Sequence, residues 1–172
     1  MRLWQKYLSV TALLLLSACG FEPLYGTQGS SSVQERLSGV AISPIPDRLG
    51  QLVHNHLSKG VRPDDQGLTS HRLEVSLDPS IEGFGFRSDE SITRERIRLI
   101  ARYQLIDVKS GEAVFDDVVS ANTSIDVVQS DFATVAAEEK ARERNAERVS
   151  QLILTRLALY FRAELKQNET AQ

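Results

Sequence analysis

One cysteine, Cys19, is all the chain has among 172 residues. No disulfide can form within it, so packing alone must hold the fold. Histidine is almost as scarce, with three copies. A nucleophilic triad needs a Ser or Cys beside a His that an acid orients, and no Gly-x-Ser-x-Gly or glycine-rich phosphate loop accompanies the few histidines present. His54 and His56 stand two apart, and on a helix such residues do not face each other, so no metal site is expected. Positive charge is not in excess either: 20 basic residues stand against 23 acidic ones. That balance is not the basic footprint of a nucleic-acid binder. Long uncharged apolar runs are also lacking. Residues 152–161, LILTRLALYF, fall short of the ~20 residues a spanning helix needs and contain Arg156.

The one sustained apolar block is residues 8–16, LSVTALLLL, which follows Arg2 and Lys6. A basic start and a short apolar stretch read as a secretory signal over residues 1–18. Leu16-Ser17-Ala18-Cys19 looks like a bacterial lipobox, in which the cysteine thiol takes a diacylglycerol, the chain is cut before it and the new amine is acylated. An odd cysteine in an exported protein needs such an outcome, because a free thiol there is reactive. Two or more fatty chains are what durable anchoring requires. Cys19 is therefore expected to be a lipid tether, with palmitate among its acyl groups. By resemblance to enterobacterial lipoproteins, in which Asp at this position favours inner-membrane retention, Gly20 implies delivery to the outer membrane. Residues 19–32, rich in Gly, Pro and Ser, are expected to be a flexible linker.

The folded domain is expected over residues 33–172. Val40 and Ile42 suggest a short strand that Pro44 and Pro46 end. Leu49, Leu52, Val53, His56 and Leu57 form one helical stripe over Asp47–Lys59, with Gly60 suited to the C-cap. His71–Leu77 alternates as a strand that breaks at Asp78-Pro79 and resumes through Ile81, Phe84 and Phe86. Ile92–Val108 is the longest strand, Lys109-Ser110-Gly111 a tight turn, and residues 112–125 the returning strand. A helix capped by Ser130 or Asp131 runs to about Lys166, polar at first and then apolar at Val149, Leu152, Ile153, Leu157 and Tyr160. The order β-α-β-β-β-α predicts an α+β fold: a two-layer sandwich with a mixed four-stranded sheet and two helices on one face.

Strand alternation places Arg94, Arg96, Arg98 and Arg102 on one sheet face. Arginine makes forked, charge-assisted bonds to phosphate, whereas a merely solvated face would pair such a row with neighbouring acids such as Asp116 or Asp117. Phe84, Phe86 and Arg87 sit beside Gly83 and Gly85 at a hairpin tip, either as a partner surface or, for the phenylalanines, as core.

The lipobox, the run CGFEPLYG at residues 19–26 and this element order resemble LptE, the lipopolysaccharide-assembly lipoprotein of Gram-negative outer membranes, in its alphaproteobacterial form. The resemblance implies a non-enzymatic plug inside a large β-barrel partner, LptD. It implies that the two together place lipopolysaccharide in the outer leaflet, with no cofactor beyond the lipid on Cys19. It makes the anionic lipopolysaccharide the ligand expected for the arginine row. The competing expectation is a periplasmic accessory lipoprotein of a lipid-transport ABC system, tethered but not inside a barrel.

Overall fold

The computed structural model describes residues 29–61, 69–86 and 92–170. The signal, Cys19, most of the linker and Arg87 lie outside the described residues. The chain divides into two units at Ser31/Ser32, and the second holds the sheet and its helices.

Helix α1, Gly29–Ser38, reaches back into the stretch expected to be a flexible linker. Val33 and Leu37 explain it. Four residues apart, they share one helical face, and both pack on the core. Strand β1 then covers only Val40–Ile42 and pairs in parallel with His71–Leu73. The last link is the Ser43 N–H donating to the Leu73 carbonyl at 2.9 Å. Pro44 and Pro46 have no N–H with which to continue the ladder. Helix α2, Asp47–Gly60, buries Val53 and Leu57 completely.

Gly60 is not the cap. The helix ends at Val61, whose N–H donates to Leu57. A β-carbon at Gly60 would fall 2.3 Å from Leu154 Cδ1. There the helix runs against the Leu154 side chain, whose flexible tip would have to shift to admit a β-carbon.

Strand β2, His71–Phe86, runs unbroken through the expected break at Asp78-Pro79. Strand β3 is Ile92–Asp107 and β4 is Ala113–Asp126. The sheet order is β1-β2-β3-β4, with the last three antiparallel. Proline survives in a strand only where no ladder donor is needed. Beyond Leu73 the outer side of β2 has no strand beside it among the described residues, so Pro79 loses nothing. The β3–β4 turn is fixed by Asp107, whose carboxylate accepts the N–H groups of Lys109 and Ser110, each at 2.8 Å. Those bonds hold the Asp107 carboxyl below its usual range, and Gly111 supplies φ +73°.

Helix α3, Asp131–Thr170, has 40 residues and a length of roughly 60 Å. Ala141, Asn145, Val149, Ile153, Leu157 and Phe161 recur every fourth residue, and all are buried. They lie against the covered face of the sheet, where Leu73, Leu99, Ala101, Tyr103, Leu105 and Val119 supply the other side of the core. Leu152 and Tyr160, expected in that stripe, flank it and are partly buried. The result is the expected α+β fold, with one more helix than expected.

Candidate functional site

The alternation of β3 divides its residues cleanly. Ile97, Leu99, Ala101, Tyr103 and Leu105 are buried, while Arg94, Arg96, Arg98, Arg102 and Gln104 are exposed. All four arginines therefore share the open face of the sheet, as the spacing predicts.

The row is not uniform. Arg94 Nε donates to Asp126 Oδ1 at 2.9 Å, directly across on β4. Arg102 lies 3.8 Å from Asp78 on β2. The acids expected to pair with the row do not. Asp117 turns to the covered face, where Arg156 lies 3.8 Å away and the Tyr103 hydroxyl donates to it at 3.4 Å. Burial and that carboxylate push the Tyr103 phenol well above its ordinary range. Asp116 stays on the open face but stands opposite Gln104.

The two middle arginines differ from the outer pair. Neither has an ion pair with a described residue. The Arg96 guanidinium carbon lies 5.0 Å from the centroid of the Phe84 ring, within cation–π range. Arg98 stands between Ser80 on β2 and Asn122 on β4, and Arg96 between Glu82 and Ser124. The two middle guanidinium groups are thus flanked by Ser80, Asn122 and Ser124, with Glu82 opposite Arg96 but in no ion pair with it. That arrangement suits a phosphorylated, hydroxyl-rich ligand: the arginines take the charge and the small polar groups take the hydroxyls.

Phe84 is neither core nor free tip. It is half-buried on the open face, opposite Arg94 and under Arg96. Phe86 closes β2 opposite Ile92. Between them Gly85 adopts φ +76°, and the Thr93 hydroxyl donates to its carbonyl at 3.0 Å.

Sequence reasoning missed Asn145, inside the charged stretch of α3 that reads as a solvated helix. It is 2% exposed. Its Nδ2 donates to the Ile97 carbonyl at 2.9 Å, and its Oδ1 accepts the Thr123 hydroxyl at 2.8 Å. Asn145 joins α3 to β3 and β4 behind the middle of the arginine row. The signal that marks it is its place in the four-residue series from Ala141 to Phe161. Asn145→Ala is expected to destabilise the domain by about 2–3 kcal/mol, because it leaves a buried carbonyl and hydroxyl without partners. Urea unfolding followed by circular dichroism reads this as a lower midpoint at unchanged slope.

No group of metal-ligating side chains occurs among the described residues, and none of their helices is long and apolar enough to cross a membrane.

The family model LptE, lipopolysaccharide-assembly, matches residues 37–157. The chain belongs to the LptE family. A protein of Rickettsia prowazekii, itself uncharacterized, is 23% identical over 147 residues, which is 86% of this chain and 91% of the relative. Solved structures share the fold. A Nitrosomonas europaea structure, titled uncharacterized lipoprotein B, superposes with a TM-score of 0.58 at 12% identity, covering 74% of this chain and 86% of that one. Rare lipoprotein B of Shewanella oneidensis gives 0.55 at 10% identity, covering 75% and 96%. At such identities these LptE-like structures speak for the fold and no further.

Proposed function

We propose that this LptE-family protein is an outer-membrane lipoprotein, anchored through Cys19 on the periplasmic side. It plugs and assists assembly of the LptD β-barrel, and it helps deliver lipopolysaccharide to the outer leaflet without catalysing a reaction. Arg94, Arg96, Arg98 and Arg102 form the lipopolysaccharide-facing row, with Arg96 and Arg98 making the phosphate contacts. Phe84, Phe86 and Arg87 are assigned to partner contact. The observation that carries this reading is the pair Arg96 and Arg98, exposed on the open sheet face with no ion pair to a described residue, in a member of a lipopolysaccharide-assembly family.

Changing Arg96 and Arg98 together to Ser is expected to leave the melting temperature nearly unchanged, since exposed sites usually shift stability by within ~0.5 kcal/mol. Binding of the detergent-solubilised protein to purified lipopolysaccharide should weaken by about tenfold, equivalent to ~1.4 kcal/mol. Wild-type affinity should also fall with added salt, because exposed charges are screened. Equal binding by both proteins at low and moderate salt would make the row a solvated face. The barrel is tested separately, by isolating the tagged protein in mild detergent and weighing what comes with it. A stoichiometric outer-membrane barrel supports the plug, and an inner-membrane ATPase complex overturns it.

A further inference from the structure

Among the described residues, the outer side of β2 beyond Leu73 has no strand beside it. The Ser43–Leu73 bond shows that odd-numbered residues of β2 turn their backbone groups outward. Bond directions alternate along an antiparallel strand, so Val75, Leu77, Ile81 and Gly83 each present an N–H and a carbonyl on that side, and Pro79 a carbonyl alone. β1 pairs only as far as Leu73.

The opposite edge of the sheet is guarded differently. On β4 the Val118 N–H is taken by the Asp117 carboxylate at 2.7 Å. Natural edges are commonly blunted by such devices. On β2 the device is Pro79, which removes one donor and leaves the carbonyls.

Two further features lie along the same edge. A cavity of about 220 Å³, lined by Leu49, Pro79, Ile81, Ile97 and Leu99 among others, sits between the start of α2, the middle of α3 and the sheet. Of its polar lining, Arg142 is engaged with Glu138 and Glu139 and Asn145 at both ends of its amide, while Ser80 and Arg98 belong to the open face of the sheet. The space therefore suits an apolar group, and Ile81 on its rim is 45% exposed. On the open face the same strand carries three acids: Glu74, paired with Arg72 at 3.0 Å, Asp78, 3.8 Å from Arg102, and Glu82, opposite Arg96 but in no ion pair with a described residue. All three are exposed side chains that an incoming basic strand can share.

We propose that the β2 edge from Val75 to Gly83 accepts an extended peptide segment of a partner protein as an added strand. The segment is basic on the side facing Glu74, Asp78 and Glu82. It is apolar on the other side, with one large apolar side chain entering the cavity beside Pro79 and Ile81. An added strand lies ~4.8 Å outside its neighbour and points alternate side chains to opposite faces. One face therefore meets the acids and the other meets Leu49 and Ile81. Main-chain bonds supply the affinity, and the cavity with the acids supplies the selection. This inference does not rest on the lipopolysaccharide reading: its main-chain bonds lie on the outer edge of β2, although Arg98 also lines the cavity and Arg102 lies 3.8 Å from Asp78.

The test is amide hydrogen exchange on the full lipidated chain in detergent, with a short synthetic peptide that alternates lysine with valine and carries one phenylalanine. The control peptide has the same composition with alternate backbone nitrogens methylated. The expected result is exchange slowed about tenfold or more at Val75, Leu77, Ile81 and Gly83, with no change at Glu74, Ser76, Ser80 and Glu82, and no effect of the control. Ile81→Pro, which removes an outward donor and leaves the bonds to β3, should weaken peptide binding several-fold at unchanged helical content. The idea is overturned if the peptide does not bind, if both amide series or those of β4 slow instead, or if the methylated peptide acts equally. Undiminished peptide binding by a folded Ile81→Pro also overturns it. Should that variant not fold, the two peptides on the wild type decide alone.

Discussion

Ile153→Asp should leave the domain unable to fold cooperatively. Ile153 is fully buried at the middle of the α3 series that faces the sheet, between Val149 and Leu157. A carboxylate there meets aliphatic carbon on the neighbouring elements. Burying an unpaired charge costs several kcal/mol, and the lost isoleucine contacts add to that. A domain of this size holds only about 5–15 kcal/mol in total. The matched control is Leu159→Asp, on the same helix at 46% exposure, which should melt like the wild type. Thermal and urea melts of both variants make the comparison. Equal melting of Ile153→Asp and wild type would remove the α3 series from the core.

The second large effect is on the membrane. Cys19→Ser should lose palmitate labelling completely and keep residues 1–18, because acylation of the thiol precedes the cut. Each methylene of an inserted chain is worth ~0.8 kcal/mol, so losing every chain removes the anchor outright rather than weakening it. Radiolabelled palmitate and the mass of the recovered chain are the measurements. Equal label in both proteins would end the tether argument. The domain itself should remain folded, since the described core contains no residue before Val33.

Much of the architecture is legible because two periodicities are strong. β3 alternates almost without exception, so the arginine face follows from counting by two. The α2 stripe follows from counting by three and four. What was hidden has physical reasons. α1 is nearly all polar, and two apolar residues in a serine-rich stretch are a faint signal. The passage of β2 through Pro79 depends on its being an edge, which only the pairing of distant strands decides. Asn145 lies among charges, and its burial comes from the line of α3 on the sheet rather than from its own type. The partners of Arg94 and Arg102 needed the register: Asp126 and Asp78 lie far from them in sequence and directly across, or nearly so, in space.

The strict alternation of β3 also bears on misfolding. If the strand slipped by one position against its neighbours, four guanidinium groups would be driven under α3, while Leu99, Tyr103 and Leu105 would meet water. Each buried cation would cost several kcal/mol, so the odd slip rejects itself. A slip by two keeps the faces and is the dangerous one. Against that error the faces offer no defence. The short Asp107–Gly111 turn must set the count, with one carboxylate holding two amides and one glycine in the left-handed region. A few residues at one end of the hairpin thus act as the starting mark from which every later pairing is measured.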